Sequence, residues 1–353
     1  MSKVKDIGKH GQSIWYDNIR RDLLTSGELA KMVAEDGLTG LTSNPSIFKK
    51  AIGGSNLYDE AISKLAAEKL SPYEVYEKVA IEDIQAAADI LLPIYEKTSG
   101  ADGYVSLEVS PKLAHDTNAT IKEAKTLFDK VKRPNLMIKV PGTKEGLPAI
   151  EELIKSGINV NVTLLFSVSR YEEVAQAYIR GLERRLEAGG SVEKIASVAS
   201  FFVSRVDTAV DKLLENKGFD HLMGKCAIAN AKVAYKSFLK IFDSEQFDKL
   251  STEGAMVQRL LWASTSTKNA KYNDVLYVEE LVGARTVNTV PPKTLEFFRD
   301  HGRVNENLSN GLAEAKEVLD QIEAAGVSLA DVTKDLEDKA VKSFAEAFIT
   351  LLE

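Results

Sequence analysis

Apolar and polar residues along this chain repeat with two different periods, and segments of the two kinds alternate from one end to the other. Short apolar or β-branched runs bounded by turn residues read as strands. They cover residues 13–16, 38–43, 104–109, 136–140, 158–164, 195–201, 257–263 and 285–289. The segments between them carry helix signals. Residues 25–35 open on Thr25-x-x-Glu28, a capping-box pattern, and stop at Gly37. Ser71-Pro72 opens another helix with proline at its first position. A helix over 143–156 ends at Gly157, and Ser169-x-x-Glu172 heads a long one that ends near Gly189-Gly190. A further helix over 204–216 ends near Gly218.

Strands that alternate with helices pair in parallel through right-handed crossovers. Eight such units predict an α/β fold, a single (β/α)8 TIM barrel over residues 1–353. An open doubly wound sheet is the competing fold, but no glycine-rich dinucleotide fingerprint follows the first strand. Three stretches exceed the minimal unit: helical insertions at about 45–100 and 204–253, and a helical tail at about 291–353.

Side chains along a strand alternate between two faces, and in a barrel one face meets the helices while the other lines the interior. Catalytic groups gather at the C-terminal strand ends. In the fourth strand Leu136, Ile138 and Val140 suit the helix side. Lys139 takes the other face, just before a Pro141-Gly142 turn. Burial disfavours an ammonium, and the free amine can attack a carbonyl. The alternatives are a lysine in a buried ion pair and an exposed lysine outside any strand. The third strand turns Ser106, Glu108 and Ser110 inward, with Glu108 either a partner for the lysine or an acid/base group. Asp17 ends the first strand, at the rim of a site or as a helix cap. Thr42 and Asn44 share a face at the end of the second strand, as do Asn161 and Thr163 in the fifth. A purely structural interior would fill these places with Val, Ile and Leu. Their polarity on five strands indicates an enzyme. The sixth and seventh strands lead into Ser200-Phe-Phe-Val-Ser-Arg205 and Ser264-Thr-Ser-Thr-Lys268, hydroxyls with a cation just past a strand end. That combination suits a phosphate group, and a solvated helix-start charge is the plainer alternative for Arg205 and Lys268.

Composition narrows the field. The 353 residues are 44% hydrophobic and carry a net charge of −7, which speaks against coating nucleic acid or an anionic membrane. Anionic small substrates need only a local cationic pocket. The one cysteine, Cys226, forms no internal disulfide or zinc cage and reads as a small apolar helix residue. His10, His115, His221 and His301 have no ligand spacing, and no phosphate-binding glycine loop appears, so neither metal nor organic cofactor is expected. No apolar run approaches the roughly 20 residues of a membrane span. The N-terminal stretch lacks a signal-peptide core. A cytoplasmic location is the expectation.

At these same residues the chain resembles the transaldolases of the long, type 2 kind. The segments that carry the resemblance are LTSNPSIF (41–48), VSLEVSP (105–111), NLMIKVPGTKEGLPAIEELI (135–154), INVNVTLLFS (158–167), ASFFVSRVD (199–207) and RLLWASTSTKN (259–269). They cover nearly the whole barrel in the family's order. The resemblance implies a cofactor-free transfer of a dihydroxyacetone unit between sugar phosphates. Lys139 would be the Schiff-base lysine and Asp17 the acid/base on the substrate's 4-hydroxyl. Glu108 and Thr163 would hold a catalytic water. Asn44, with Thr42 beside it, would bind the dihydroxyacetone unit, and Asn161 and Ser200 would line the pocket. Arg205 and Ser266 would bind phosphate together with Lys268, where another branch of the family has arginine. Lysine keeps the charge but loses the planar fork. The related fructose 6-phosphate aldolases have glutamine at the place of Glu108 and tyrosine at that of Phe202. Phe202 cannot position a hydrolytic water, which implies transfer rather than simple cleavage. A non-catalytic sugar-phosphate-binding barrel is the alternative from another class. Barrels of this family associate in several ways, so a homo-oligomer remains open.

Overall fold

All eight apolar runs form strands: β1 (Gln12–Asp17), β2 (Gly40–Thr42), β3 (Tyr104–Glu108), β4 (Leu136–Pro141), β5 (Val160–Leu165), β6 (Ser197–Phe202), β7 (Arg259–Ala263) and β8 (Thr286–Val290). In the computed structural model, which describes residues 2–353, each strand pairs in parallel with the next and β8 closes on β1. Parallel neighbours need long crossovers, and the helices that supply them cover the outer face of the sheet. The result is a closed (β/α)8 TIM barrel.

Alternation along β1 turns Ser13, Trp15 and Asp17 inward and Ile14 and Tyr16 toward the helices. Trp15 is fully buried and fills the barrel below the strand ends. Its indole N–H donates to Asp102 Oδ1 at 2.8 Å, and the Arg259 guanidinium lies 3.5 Å from the same oxygen. Arg259 also donates to Ser13 Oγ at 2.7 Å, so a polar cluster shuts the N-terminal end of the barrel. Facing Trp15 across the ladder is Gly40, where an added Cβ would sit 2.5 Å from the indole. Glycine at this point is a matter of space.

Several local expectations are corrected. Thr25 does not cap a helix: it ends the Arg21–Thr25 helix and its hydroxyl donates to Arg21 O at 3.0 Å. The next helix, Glu28–Asp36, starts after Gly27, whose φ of 82° breaks the chain direction, and stops at Gly37 as expected. The long helix Val168–Glu187 is capped by Ser167, which accepts from Arg170 N–H at 3.2 Å, so Ser169 lies inside it. The helix expected from residue 143 starts at Gly146, because the Thr143 hydroxyl is bonded to Ala114 O and Gly146 N–H. Ser110 leaves the interior, since β3 ends at Glu108 and the Ser110 N–H donates to Glu123 Oε1 at 2.9 Å. Pro141 belongs to β4 rather than to a turn, and Gly142 N–H still donates to Thr163 O at 2.8 Å. Ser71 forms the full capping box expected of it. Cys226 is buried at the start of the Cys226–Phe242 helix.

Three helices lie between β2 and β3: Pro45–Gly53, Asp59–Ala67 and Pro72–Lys97. The last helix, Leu329–Leu352, packs against Pro45–Gly53 and against the 111–113 turn after β3. Its Phe348 meets the rings of Tyr73 and Tyr76 edge-on, and its Glu337 lies 3.6 Å from Arg170. The tail therefore lies across the C-terminal end of the barrel. Among the described residues no helix is long and apolar enough to cross a membrane. Gly40→Ala, which forces a methyl against Trp15, should destabilise the barrel by about 1–3 kcal/mol in urea unfolding.

Candidate active site

Strand register brings the inward polar residues together. Asp17 pairs with Thr42 across β1 and β2, Glu108 with Lys139 across β3 and β4, and Lys139 with Asn161 across β4 and β5. Lys139 Nζ lies 3.5 Å from Glu108 Oε2 and donates to the Ser43 carbonyl at 3.2 Å. With side chains only 5% and 3% exposed, neither charge is stabilised by bulk water. Their mutual attraction has to replace it. Burial is the largest influence on Glu108 and lifts its pKa to about 7. The Lys139 ammonium opposes the rise, and the nearby Asp17 carboxylate adds to it. The Asp17 carboxyl is raised by the same desolvation, against Lys139, the Thr42 hydroxyl, Arg205 and Lys268. Thr42 donates to Asp17 Oδ1 at 2.7 Å and lies 2.6 Å from the Thr289 hydroxyl.

A cavity of about 450 Å³ opens above this layer. Among the residues named from sequence, Lys139, Asp17, Thr42, Asn44, Ser200, Phe202, Arg205, Ser266 and Lys268 line it. Glu108, Asn161 and Thr163 do not; they form the buried layer beside it. Asn161 donates to Ser106 Oγ at 2.9 Å and accepts from Ser200 at 2.7 Å, which fixes the amide orientation. Both Glu108 oxygens and the Thr163 hydroxyl are buried with no hydrogen-bond partner from the protein. Groups of this kind take up an ordered water. Just after Thr163 the β5–β6 register shifts, and Leu164 adopts a φ of 63°, a bulge of the kind that re-aims side chains beside functional sites. Asn44 caps the Pro45–Gly53 helix through its side-chain oxygen, at 3.0 Å from Ile47 N, which leaves its amide N–H₂ free on the cavity side.

The opposite end of the cavity is cationic. Arg205 sits in the first turn of the Ser204–Lys217 helix with its guanidinium 5.3 Å over the Phe202 ring. Lys268 donates to Ser266 Oγ at 2.7 Å from the loop after β7. Burial lowers the proton affinity of both cations, and Arg205 and Lys50 lower that of Lys268 further. Two carboxylates on the Arg205 helix pin the loop. Asp211 accepts from Tyr272 OH at 2.6 Å and Gly224 N–H at 2.9 Å. Asp207 accepts from Tyr277 OH at 2.8 Å and Ala227 N–H at 2.7 Å. The cations from two separate strand ends are thereby held in one frame.

Thr289 was not singled out in the sequence, although it lies one residue before the end of β8 on the inward face and the same alternation finds it. Nor were the Ser43 carbonyl or Lys50, Arg20 and Phe344, the last three of which line the cavity. Phe344 is nearly fully buried and comes from the tail helix, and no strand period points to it. Tyr272→Phe removes one bond to a buried carboxylate. Amide exchange across residues 264–275 should then rise about tenfold or more, with barrel strands unaffected, as read by hydrogen-exchange mass spectrometry.

Comparison with known proteins places this architecture. Residues 14–353 match the family model described as Transaldolase/Fructose-6-phosphate aldolase. The chain is 48% identical to the "Transaldolase" of Thiobacillus denitrificans, over 100% of this chain and 99% of that one. It is 47% identical to "Transaldolase 2" of Nostoc punctiforme, over 98% and 95% of the two chains. The "Transaldolase" of Mycolicibacterium smegmatis is 47% identical over 97% and 94%. Matches of this length and identity, on a barrel with a lysine–carboxylate pair at its strand ends, show that the chain belongs to the transaldolase/fructose-6-phosphate aldolase family.

Proposed function

We propose that the reaction of this transaldolase runs through Lys139. The observation that carries the reading is a buried amine 3.5 Å from a buried carboxylate, at the foot of a cavity whose far end is cationic. The enzyme moves a dihydroxyacetone unit from a ketose phosphate, sedoheptulose 7-phosphate or fructose 6-phosphate, to an aldose phosphate, glyceraldehyde 3-phosphate or erythrose 4-phosphate. This is the non-oxidative chemistry of the pentose phosphate pathway. The single buried cysteine and these substrates suit a cytoplasmic setting.

The Lys139 amine adds to the ketone carbon of the donor. Glu108, with a pKa near 7, is matched to take the proton that the attacking nitrogen sheds. It passes on two protons, one from the Lys139 ammonium before attack and one from the attacking nitrogen, through a water held with Thr163, to the donor oxygen, which leaves as water. Loss of water leaves a protonated imine on Lys139, which draws electrons from the sugar chain. Asp17 takes the proton of the 4-hydroxyl, the bond between carbons three and four breaks, and the electron pair moves into the imine. An aldose phosphate leaves and a three-carbon enamine stays on Lys139. Asn44 and Thr42 hold its hydroxyls, while Asn161 and Ser200 shape the wall beside it. Arg205, Ser266 and Lys268 grip first the departing phosphate and then that of the acceptor, whose aldehyde the enamine attacks as the steps reverse. All electrons stay within the substrates and the imine.

Phe202 favours transfer over release. Its ring carries no hydroxyl to aim water at the enamine, and it packs at 5.1 Å against Phe166 and under Arg205. Cleavage of the aldolase kind is the second reading, and product analysis without an acceptor separates the two.

Borohydride reduction in the presence of fructose 6-phosphate should fix a three-carbon adduct on Lys139, found by peptide mass mapping. A folded protein that binds the sugar and yields no adduct would sink the imine reading and leave a silent binding barrel. Lys139→Ala should lose more than about 10⁴-fold in kcat. It should still fold: without the ammonium, the Glu108 pKa rises further and the group becomes neutral. Asp17→Ala should still form the ketose imine yet cleave it about 10²- to 10⁴-fold more slowly. The pH profile follows from Glu108, which must be ionised to accept a proton. Below about pH 7 it is protonated, so kcat/KM should fall as pH falls through that value. Glu108→Gln should be slow and should lose that inflection.

A further inference from the structure

The cationic end of the cavity has a third arm. Lys50 lies on the Pro45–Gly53 helix, and it lines the same cavity as Arg205, Ser266 and Lys268. The helix contributes one stripe to the wall: Asn44 at its cap, then Ser46 and Ile47, then Lys50 and Ala51. Residues three and four apart share a helix face, so these side chains line one side. Asn44 and Lys50 are six residues apart, about 9 Å along the axis at 1.5 Å per residue. That is the scale of an extended ketose phosphate from its carbonyl carbon to its phosphorus. The helix that touches the reacting end of a substrate at its cap therefore reaches the phosphate end two turns later.

Charge points the same way. The field of Lys50 reaches Lys268 strongly enough to make that ammonium harder to protonate, alongside the field of Arg205. Three like charges converge on one space, and an anion of two negative charges relieves the repulsion. Arg20 also lines the cavity, but Asp22 holds its guanidinium at 2.6 Å. No carboxylate pairs with Lys50 among the described residues. The helix on which Lys50 rides is covered by the tail helix, whose Phe344 enters the same cavity. Its backbone is thus anchored while its ammonium stays exposed.

We propose that Lys50 is a substrate-binding residue that contacts the phosphate of the sugar and sets the preference for phosphorylated substrates. The inference rests on the transaldolase reading and adds a contact from the second βα connection to those after β6 and β7. A lysine near a helix C-terminus also complements the helix dipole, and that purely structural role would change melting temperature without changing anion affinity.

The test uses the full-length enzyme at low ionic strength, where screening is weak. Inorganic phosphate is titrated calorimetrically into the wild type, Lys50→Gln and Lys50→Arg, and kcat and KM are measured with fructose 6-phosphate and with unphosphorylated fructose. Loss of one charge-assisted contact should weaken phosphate binding about tenfold in Lys50→Gln and raise KM for fructose 6-phosphate about as much. The preference for fructose 6-phosphate over fructose should fall by a similar factor, and Lys50→Arg should restore most of it. Unchanged phosphate affinity in Lys50→Gln overturns the proposal. So does an equal loss with both sugars, which marks a structural role. Borohydride trapping on Lys139 in the same variant keeps the two readings apart: an intact adduct with unchanged phosphate affinity removes Lys50 alone, whereas a wild type with no adduct removes the imine mechanism.

Discussion

An amine and a carboxylate share a water-poor layer inside this barrel, 3.5 Å apart. Taking either charge out of water costs several kcal/mol, and only a close opposite charge and fixed dipoles offset it. The remainder of the site follows from this constraint. The floor has to be dry, which Trp15 provides by filling the space that Gly40 leaves. The strands have to be closed, so that no edge admits water from the side. The pair has to be close without being locked. At 3.5 Å the Lys139–Glu108 contact is longer than a strong charge-assisted hydrogen bond, so the amine is attracted without being locked in place. The lifted pKa of Glu108 is the other consequence of the same burial, and it tunes the carboxyl to exchange protons near neutrality.

The two ends of the cavity are built on different principles. The end with the lysine–carboxylate pair stands on strands, whose rigid ladder holds Asp17, Thr42, Glu108, Lys139 and Asn161 in fixed register. The cationic end stands on a helix start and a loop, where Arg205, Ser266 and Lys268 are wetter and their strength comes from number and charge. Loops are poor scaffolds unless tied down. Here Asp207 and Asp211, one turn apart on the Arg205 helix, tie the Lys268 loop through Tyr277 and Tyr272. The result is a cationic end that holds its geometry while only partly buried.

Much of the site was legible because a strand has period two. Once a segment is a strand, each residue's face is decided, and Lys139, Glu108, Asp17, Thr42, Asn161 and Thr163 could be assigned inward from their neighbours alone. The pattern loses its meaning where that period stops. Ser110 lies two residues beyond the end of β3, and there the chain turns to meet Glu123. Helix starts were less legible than strand faces. At Ser167 and Ser169 two hydroxyls compete as caps, and at Thr25 the residue that resembles a cap already belongs to the preceding helix. Local pattern cannot choose between such neighbours, because the choice depends on how each helix seats on the sheet.

Taken alone, the sequence determined the number and order of the strands, the side of the sheet on which each strand residue falls, and the family. Those depend on neighbours in the chain, and a short window contains them. Only the tertiary structure decided distances between residues far apart in sequence: the register that sets Glu108 opposite Lys139, the indole seated over Gly40, and the shift between Val162 and Leu165 that resets the β5–β6 pairing. It also decided that Phe344, from the last helix, and Lys50, from an insertion, face the same space as the lysine of the fourth strand. Register and docking are selected by the packing of the whole molecule, and no single segment carries enough of that energy to announce them.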